Sequence, residues 1–193
     1  MNLLSEQVTE NEIKIILREL NKAHAILGDV VEFGCYVGTT SVFIAKEIEK
    51  TEKTLWLYDS FEGLPEKSKQ DENSLGEVFK KGELYSSKKQ LINNLKKANL
   101  KTMPKITKGW FCDLTKEQIP EKISFAFLDG DYYDSILDPL KLIWDNLSSG
   151  AIIVVDDYGN QALPGAEKAV RQWCNNKGLK YKVEDSLAIF CKK

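Results

Sequence analysis

Two apolar runs, each closed by aspartates, constrain the fold of this chain more than any other feature. Phe125 to Leu128 runs into Asp129-Gly130-Asp131-Tyr132-Tyr133, and Ala151 to Val155 runs into Asp156-Asp157-Tyr158. A short unbroken apolar run marks a strand buried on both faces, the kind found in parallel sheets covered by helices. Either run alone reads equally well as a loop of solvated acids. Side by side in one sheet, the two would bring four carboxylates to the same edge.

The other segments supply the rest of such a sheet. Glu10 to Leu27 spaces Ile13, Ile16, Leu17, Leu20, Ala23 and Ile26-Leu27 three or four apart, which predicts a helix ended by Gly28 and makes residues 1–27 an N-terminal helical segment. Val30 to Phe33 is a short strand leading into Gly34-Cys35-Tyr36-Val37-Gly38. Thr39-Thr40-Ser41 then offers hydroxyls to the first turn of a helix over Val42 to Lys50. Thr54 to Tyr58 predicts a second strand, Lys105 to Thr107 a third, Ile123 to Leu128 a fourth and Ala151 to Val155 a fifth. Helices are expected over Lys88 to Asn99, over Ser135 to Leu147 with Pro139 near its start and Ser149-Gly150 as its stop, and over Ala166 to Asn176 before Gly178. Lys180 to Val183 and Leu187 to Cys191 flank the turn Glu184-Asp185-Ser186. The expected class is α/β: a mostly parallel seven-stranded sheet with an antiparallel terminal hairpin and helices on both faces. From Ser60 to Ser87 periodicity fades among Gly63, Pro65, Gly76 and Gly82, and so long a connection is expected to be a lid insertion.

Composition narrows the function classes. A length of 193 residues fits one domain, 1–193. Lysine plus arginine number 27 against 29 acids, and only Arg18 and Arg171 are arginines, so no guanidinium cluster is available to read phosphates or bases and nucleic acid is not expected as a partner. No apolar run approaches the ~20 residues that span a bilayer, and Met1 to Ser5 lacks the regions of a signal peptide, so a cytoplasmic protein without a membrane partner is expected. Cys35, Cys112, Cys174 and Cys191 form no CxxC pair and read as reduced thiols. His24, the single histidine, is expected on a helix surface; histidine triads and multi-histidine metal sites lack material.

The first strand and its loop, Glu32-x-Gly34-x-x-x-Gly38, let the backbone approach a ligand at a helix amino terminus. Tyr36 stands where a dinucleotide loop needs its second glycine, which argues against NAD and suits a ligand with a carboxylate and an amine. Glu32 lies in an apolar context and needs a partner, for which the amine side of a ligand is a candidate. Asp59 follows the second strand about twenty residues after the last loop glycine, the spacing of a ribose-binding carboxylate, and also reads as a turn residue before Ser60. Trp110 and Phe111 can face a purine ring or pack in the core.

Val30 to Gly38, the run Tyr58-Asp59-Ser60-Phe61-Glu62-Gly63-Leu64-Pro65, Lys108-Gly109-Trp110-Phe111, Leu128 to Ser135 and Asp156-Asp157-Tyr158-Gly159 resemble, in order, the motifs of the macrocin O-methyltransferase family. The resemblance runs from about Gly28 to Trp173. It implies a Rossmann-like class I fold, S-adenosyl-L-methionine as methyl donor, a divalent cation such as Mg2+, and an acceptor that is a small molecule or glycan with a free sugar hydroxyl. By resemblance, Glu32, Gly34, Cys35, Tyr36, Gly38 and Thr39 would border the methionine part of the cofactor, Asp59 and Ser60 the ribose, and Lys108, Gly109 and Trp110 the adenine. Asp129 would meet both cofactor and metal. A hard cation takes oxygen ligands, so Asp129, Asp156 and Asp157 are the expected metal set, with Asp131 as general base. The division of labour between Asp129 and Asp131 follows the family and is not fixed by spacing. Tyr133 and Tyr158 either position the sugar or simply pack.

Two other readings start from the same acids. A magnesium phosphohydrolase would use Asp129-x-Asp131 as nucleophile strand, although here a glycine loop and a ribose acid precede it and no loop is built to grip phosphate. A non-catalytic S-adenosylmethionine-binding module would keep the pocket without the chemistry. The stretch from Glu66 to Ser87 matches no family motif, which leaves secondary-metabolite sugars, nucleotide sugars and polysaccharide units open as acceptors, and homo-oligomerisation open as well.

Overall fold

The strands β1 (Asp29–Phe33), β2 (Leu55–Asp59), β3 (Lys105–Lys108), β4 (Ile123–Leu128), β5 (Leu147–Val155), β6 (Tyr181–Glu184) and β7 (Leu187–Cys191) form one sheet in the order β3-β2-β1-β4-β5-β7-β6. These elements come from a computed structural model that describes residues 3–75 and 78–193; Gly76 of the expected lid lies outside the described residues. Strands β1 to β5 pair in parallel, while β7 runs antiparallel to β5 and β6.

Alternate residues of the central strands enter two separate cores, which is why their sequences read as unbroken apolar runs. Val31, Phe33, Ala126, Leu128, Ile153 and Val155 pack against α4 (Tyr133–Ile143) and α5 (Pro164–Lys177). Val30, Leu57, Phe125, Phe127, Ile152 and Val154 pack against α1 (Glu10–Lys22), α2 (Thr39–Ile48) and α3 (Lys88–Lys97). The chain moves outward from β1 through β2 to β3, then returns to the other side of β1 as β4 and β5. The order reverses between β1 and β4, and in open parallel sheets the crevice at such a reversal, beyond the carboxyl ends of the strands, is where ligands bind.

Element ends depart from the sequence expectations in informative ways. Helix α1 stops at Lys22, five residues early, and Leu27 is 74% exposed. His24 therefore falls just past the helix, half-buried, with its Nε2 enclosed and unpartnered. Helix α2 begins at Thr39, capped by Gly38 in a left-handed conformation and not by a hydroxyl, so its first N–H groups keep no side-chain partner. Helix α4 begins at Tyr133, which puts Pro139 in its interior. Pro139 cannot donate to the Ser135 carbonyl, and Gly130 packs against that carbonyl, where a Cβ would lie 2.6 Å from the oxygen. Ser149-Gly150 does not stop a helix; it belongs to β5, where the Gly150 N–H bonds the Lys192 carbonyl at 2.9 Å.

Candidate active site

The glycine loop after β1 is shaped by its contact with the acid turn after β4. Gly34 has φ +87°, and a Cβ there would stand 1.8 Å from the Asp129 carbonyl oxygen, so no other residue fits. Asp59, at the end of β2, fastens the same loop. Its Oδ2 accepts from the N–H groups of Cys35 at 2.8 Å and Tyr36 at 3.1 Å, and its Oδ1 accepts from Phe61 N–H at 2.7 Å. Tyr36 is held at φ 46°, a conformation that a non-glycine residue adopts only where its surroundings impose it. One carboxylate thus serves both as turn residue and as loop fastener while still lining the cavity.

Glu32 is 1% exposed, and its Oε2 has no partner. Burial, reinforced by the charge of Asp59 and partly offset by the Ser41 hydroxyl, pushes its carboxyl up to about 8. Cys35 is buried beside it, and burial, then the charges of Glu32 and Asp59, pushes its thiol well up. All four cysteines are free thiols.

At the ends of β4 and β5 the acids converge. Asp129, Asp131 and Asp157 each present an oxygen, and these oxygens all lie within 4.8 Å of one another. Asp131 and Asp157 have φ of 63° and 59°, left-handed conformations that aspartate tolerates better than most residues and that turn both side chains off their strand axes. Burial raises the Asp129 carboxyl well above the usual range, and the charges of Asp156, Asp131 and Asp157 add to this. Asp131 is raised likewise, by burial and then by Asp157, Asp156 and Asp59. Burial lifts Asp157 to about 6 despite the hydrogen bond it accepts from Asn160 Nδ2 at 2.8 Å. Asp129, Asp131 and Asp157 stay partly open to the cavity, whereas Asp156 is 6% exposed and is lifted to about 8 by burial and by Asp157.

Asp156 stands apart from the converging three. Its Oδ1 accepts from the Ser186 hydroxyl at 2.9 Å and from Asp157 N–H at 2.7 Å, and the same hydroxyl donates to Glu12 of α1. Among the described residues the oxygens that gather are those of Asp129, Asp131 and Asp157, while Asp156 lines the same cavity with one oxygen engaged by the β6–β7 turn. Tyr133 and Tyr158, expected beside the sugar, do not line the cavity. The Tyr133 hydroxyl bonds Gln172 at 2.5 Å, and the Tyr158 hydroxyl meets that of Tyr181 at 2.8 Å and accepts from Arg171 at 3.2 Å. Tyr132 lines it instead, a residue missed although it sits inside the same motif.

A cavity of about 370 Å³ unites these parts, a size in the ordinary range for small-molecule sites. Gly34, Tyr36, Asp59, Ser60, Trp110 and Asp129 line it; Glu32, Cys35, Gly38, Thr39, Lys108 and Gly109 lie outside its lining. The Gly109 N–H bonds the Asp59 carbonyl, which aligns the loop after β3, and Lys108 pairs with Glu62 at 3.3 Å. Leu64, Phe79, Leu84, Tyr132 and Leu163, a buried apolar cluster, also contribute to the lining. The 60–87 segment is fastened there by residues the sequence did not single out. Buried Asp71 accepts from Tyr133 N–H at 2.7 Å and from the Ser68 hydroxyl, and the Tyr132 hydroxyl donates to the Phe79 carbonyl at 2.7 Å.

The chain is similar to known O-methyltransferases. Over 161 residues the chain is 27% identical to mycinamicin III 3''-O-methyltransferase of Micromonospora griseorubida, a match over 79% of this chain and 62% of that one. It is 28% identical over 165 residues to the 8-demethyl-8-(2,3-dimethoxy-alpha-L-rhamnosyl)-tetracenomycin-C 4'-O-methyltransferase of Streptomyces olivaceus, covering 81% and 62%. The chain thus spans less than two thirds of the length of these curated relatives. Among solved structures, the O-methyltransferase NovP superimposes with a TM-score of 0.78 at 20% identity over 95% of this chain and 78% of that one. Calicheamicin methyltransferase CalS11 gives 0.77 at 17% over 95% and 80%. Both share the Rossmann-like methyltransferase fold. The family model for macrocin O-methyltransferase (TylF) matches residues 10–193, and the chain belongs to that family.

Proposed function

We propose that the chain is an S-adenosylmethionine-dependent O-methyltransferase acting on a hydroxyl of a sugar or glycosylated small molecule, with the help of a divalent cation. The observation that carries this reading is the junction of the glycine loop with the acid turn: Gly34 and Asp129 touch, so a ligand on the loop and one on the acids share a single cavity. Relatives named as sugar O-methyltransferases support it. Gly34 and Tyr36, which line that cavity, suit the methionine moiety, Asp59 and Ser60 the ribose, and Trp110 the adenine.

The acids fit a hard cation. Three carboxylate oxygens within 4.8 Å, all in groups that give up their protons reluctantly, repel one another until a positive charge joins them. Asp129 and Asp157 would hold the ion, with the second oxygen of Asp156 behind them. When bound, it would polarise the acceptor hydroxyl and lower its pKa. Asp131 then takes the hydroxyl proton: its buried carboxylate is a stronger base than a solvated one, and it faces the same cavity. We take residues 1–193 as one catalytic unit in which 60–87 is the lid that keeps water from the reacting atoms. No described helix is long and apolar enough to cross a membrane.

The test is methyl transfer from S-adenosylmethionine to a panel of glycosides with Mg2+ or with EDTA, alongside binding of S-adenosylhomocysteine. Failure to bind S-adenosylhomocysteine in either condition sinks the reading. Phosphate release from simple esters would favour a phosphohydrolase, and cofactor binding without transfer to any sugar a non-catalytic module.

A further inference from the structure

The turn that aims Asp131 is closed by a residue of segment 60–87. The Tyr132 N–H bonds the Gly130 carbonyl at 2.6 Å, and Asp131 between them has φ 63°. A positive φ under so short a bond marks the rarer, strained form of γ-turn, which persists only where its surroundings fix both ends. On the incoming side the Asp129 N–H bonds the Phe33 carbonyl at 2.8 Å, so β1 holds that end. On the outgoing side Tyr132 is the N-cap of α4 and gives it no side-chain hydrogen bond. Asp71 supplies one instead: its Oδ1 accepts from the Tyr133 N–H at 2.7 Å.

Asp71 is itself held in place. It is buried, and its Oδ2 accepts from the Ser68 N–H at 3.0 Å and from the Ser68 hydroxyl at 2.6 Å. Gly165, in the first turn of α5, lies so close that a Cβ there would stand 1.8 Å from Asp71 Oδ1 and 2.6 Å from the Tyr133 nitrogen. Helix α5 also lacks a side-chain cap. One carboxylate therefore sits at the positive amino ends of two helices, which favours its charge. It arrives with the rest of its segment. Asn73 Nδ2 donates to the Ala162 carbonyl at 3.0 Å, the Tyr132 hydroxyl donates to the Phe79 carbonyl at 2.7 Å, and Lys168 of α5 bonds the Gln70 carbonyl. Leu64, Phe79 and Leu84 pack on Tyr132 and Leu163.

We infer that Asp71 is a positioning residue: by capping α4 from another segment it locks the Gly130–Tyr132 turn, so that the oxygens of Asp129, Asp131 and Asp157 gather only when segment 60–87 is docked. This rests on the cation and base roles proposed above and adds to them a residue that touches neither ion nor substrate. Groups that orient metal ligands from outside typically change metal affinity ~10- to 100-fold when removed, which sets the size of the expected effect.

The experiment uses the full chain saturated with S-adenosylhomocysteine and titrated with Mn2+, a hard cation whose binding is read by electron paramagnetic resonance. Asp71→Ala removes the cap. Gly165→Ala keeps the charge but places a methyl group against both the carboxylate and the Tyr133 nitrogen. Both should weaken Mn2+ binding at least about tenfold and leave S-adenosylhomocysteine affinity within about twofold. Asp71→Asn loses the charge and keeps an acceptor oxygen for Tyr133, so its Mn2+ affinity should stay within about threefold of the unchanged chain. Asn73→Ala cuts a different tie of the same segment and should shift Mn2+ binding less than about twofold.

Unaltered Mn2+ affinity in Asp71→Ala or Gly165→Ala overturns the inference. So does a loss in Asp71→Asn equal to that in Asp71→Ala, which would assign the effect to charge. An equal loss of S-adenosylhomocysteine affinity overturns it as well, since Asp71 would then support the fold in general. If Asp71→Ala does not fold, Gly165→Ala against Asp71→Asn makes the same comparison. An unchanged chain that binds S-adenosylhomocysteine but no Mn2+ breaks the cation reading and the inference with it, a result visible before any variant is made.

Discussion

Asp59 and Asp131 both sit at strand ends over one cavity, and they are held in opposite ways. Asp59 accepts three backbone N–H bonds within 3.1 Å, so the loop it shapes is complete without any ligand. Asp131 and its neighbours Asp129 and Asp157 crowd their oxygens together; burial lifts all three above the usual carboxylate range, and the charges of the neighbouring aspartates add to this at Asp129 and Asp131. The half of the site assigned to the cofactor is pre-organised; the half assigned to the acceptor stores unfavourable electrostatics that a cation would relieve. Rigid hydrogen bonding suits a ligand of fixed shape, and an unrelieved charge cluster suits a step that must wait for its metal.

Three changes test that contrast. Asp131→Asn keeps shape and removes basicity: transfer should fall about 10³-fold in kcat while S-adenosylhomocysteine affinity moves less than about twofold. Full activity in this variant would remove Asp131 from the mechanism. Chelation with EDTA should lower transfer about 10²-fold and leave cofactor affinity, read by calorimetry, nearly unchanged; a parallel loss of cofactor affinity would merge the two halves. Asp59→Ala should do the reverse, weakening S-adenosylhomocysteine binding about tenfold or more by freeing the Cys35 and Tyr36 amides.

Glu32 gives a test by pH. Its folded carboxyl is raised from 4.5 to about 8, so below 4.5 both folded and unfolded chains hold the proton and there is no effect. Between 4.5 and about 8 the unfolded chain ionises first, and the ligand-free protein loses stability as pH rises. Glu32→Gln should therefore raise the melting temperature at pH 7.5, by an amount equivalent to ~4 kcal/mol, and leave it unchanged near pH 4. An equal change at both pH values would show that packing, not ionisation, is responsible. Tyr133→Phe is expected to alter kcat/KM less than about twofold, since its hydroxyl faces Gln172 and not the cavity.

The sheet was legible because its central strands obey a simple rule: buried on both faces, they read as apolar runs, and their carboxyl ends carry the acids. The motifs also told where the acids would gather. They did not tell which oxygens meet. The pull of Ser186 on Asp156 comes from a partner 30 residues away, which local spacing does not encode. Tyr133 and Tyr158 show the same limit. Next to the acids in sequence, Tyr133 in the first turn of α4 reaches Gln172 of α5, and Tyr158 in the loop after β5 reaches Tyr181 of β6. Asp71 left no signal at all, lying in a stretch without periodicity, and its role exists only because α4 begins where its carboxylate arrives.

Asp71 also bears on the order in which the molecule assembles. Its carboxylate oxygen meets the first N–H of α4 and lies so near Gly165 in the first turn of α5 that a Cβ there would stand 1.8 Å from it. Neither helix start is in place until β4 has paired with β1 and β5 with β4, contacts between residues far apart in sequence that form slowly. Segment 60–87, though made early on the ribosome, thus has nowhere to dock until the second half of the chain has folded. Pulse-labelled hydrogen exchange during refolding should find its amides among the last to gain protection.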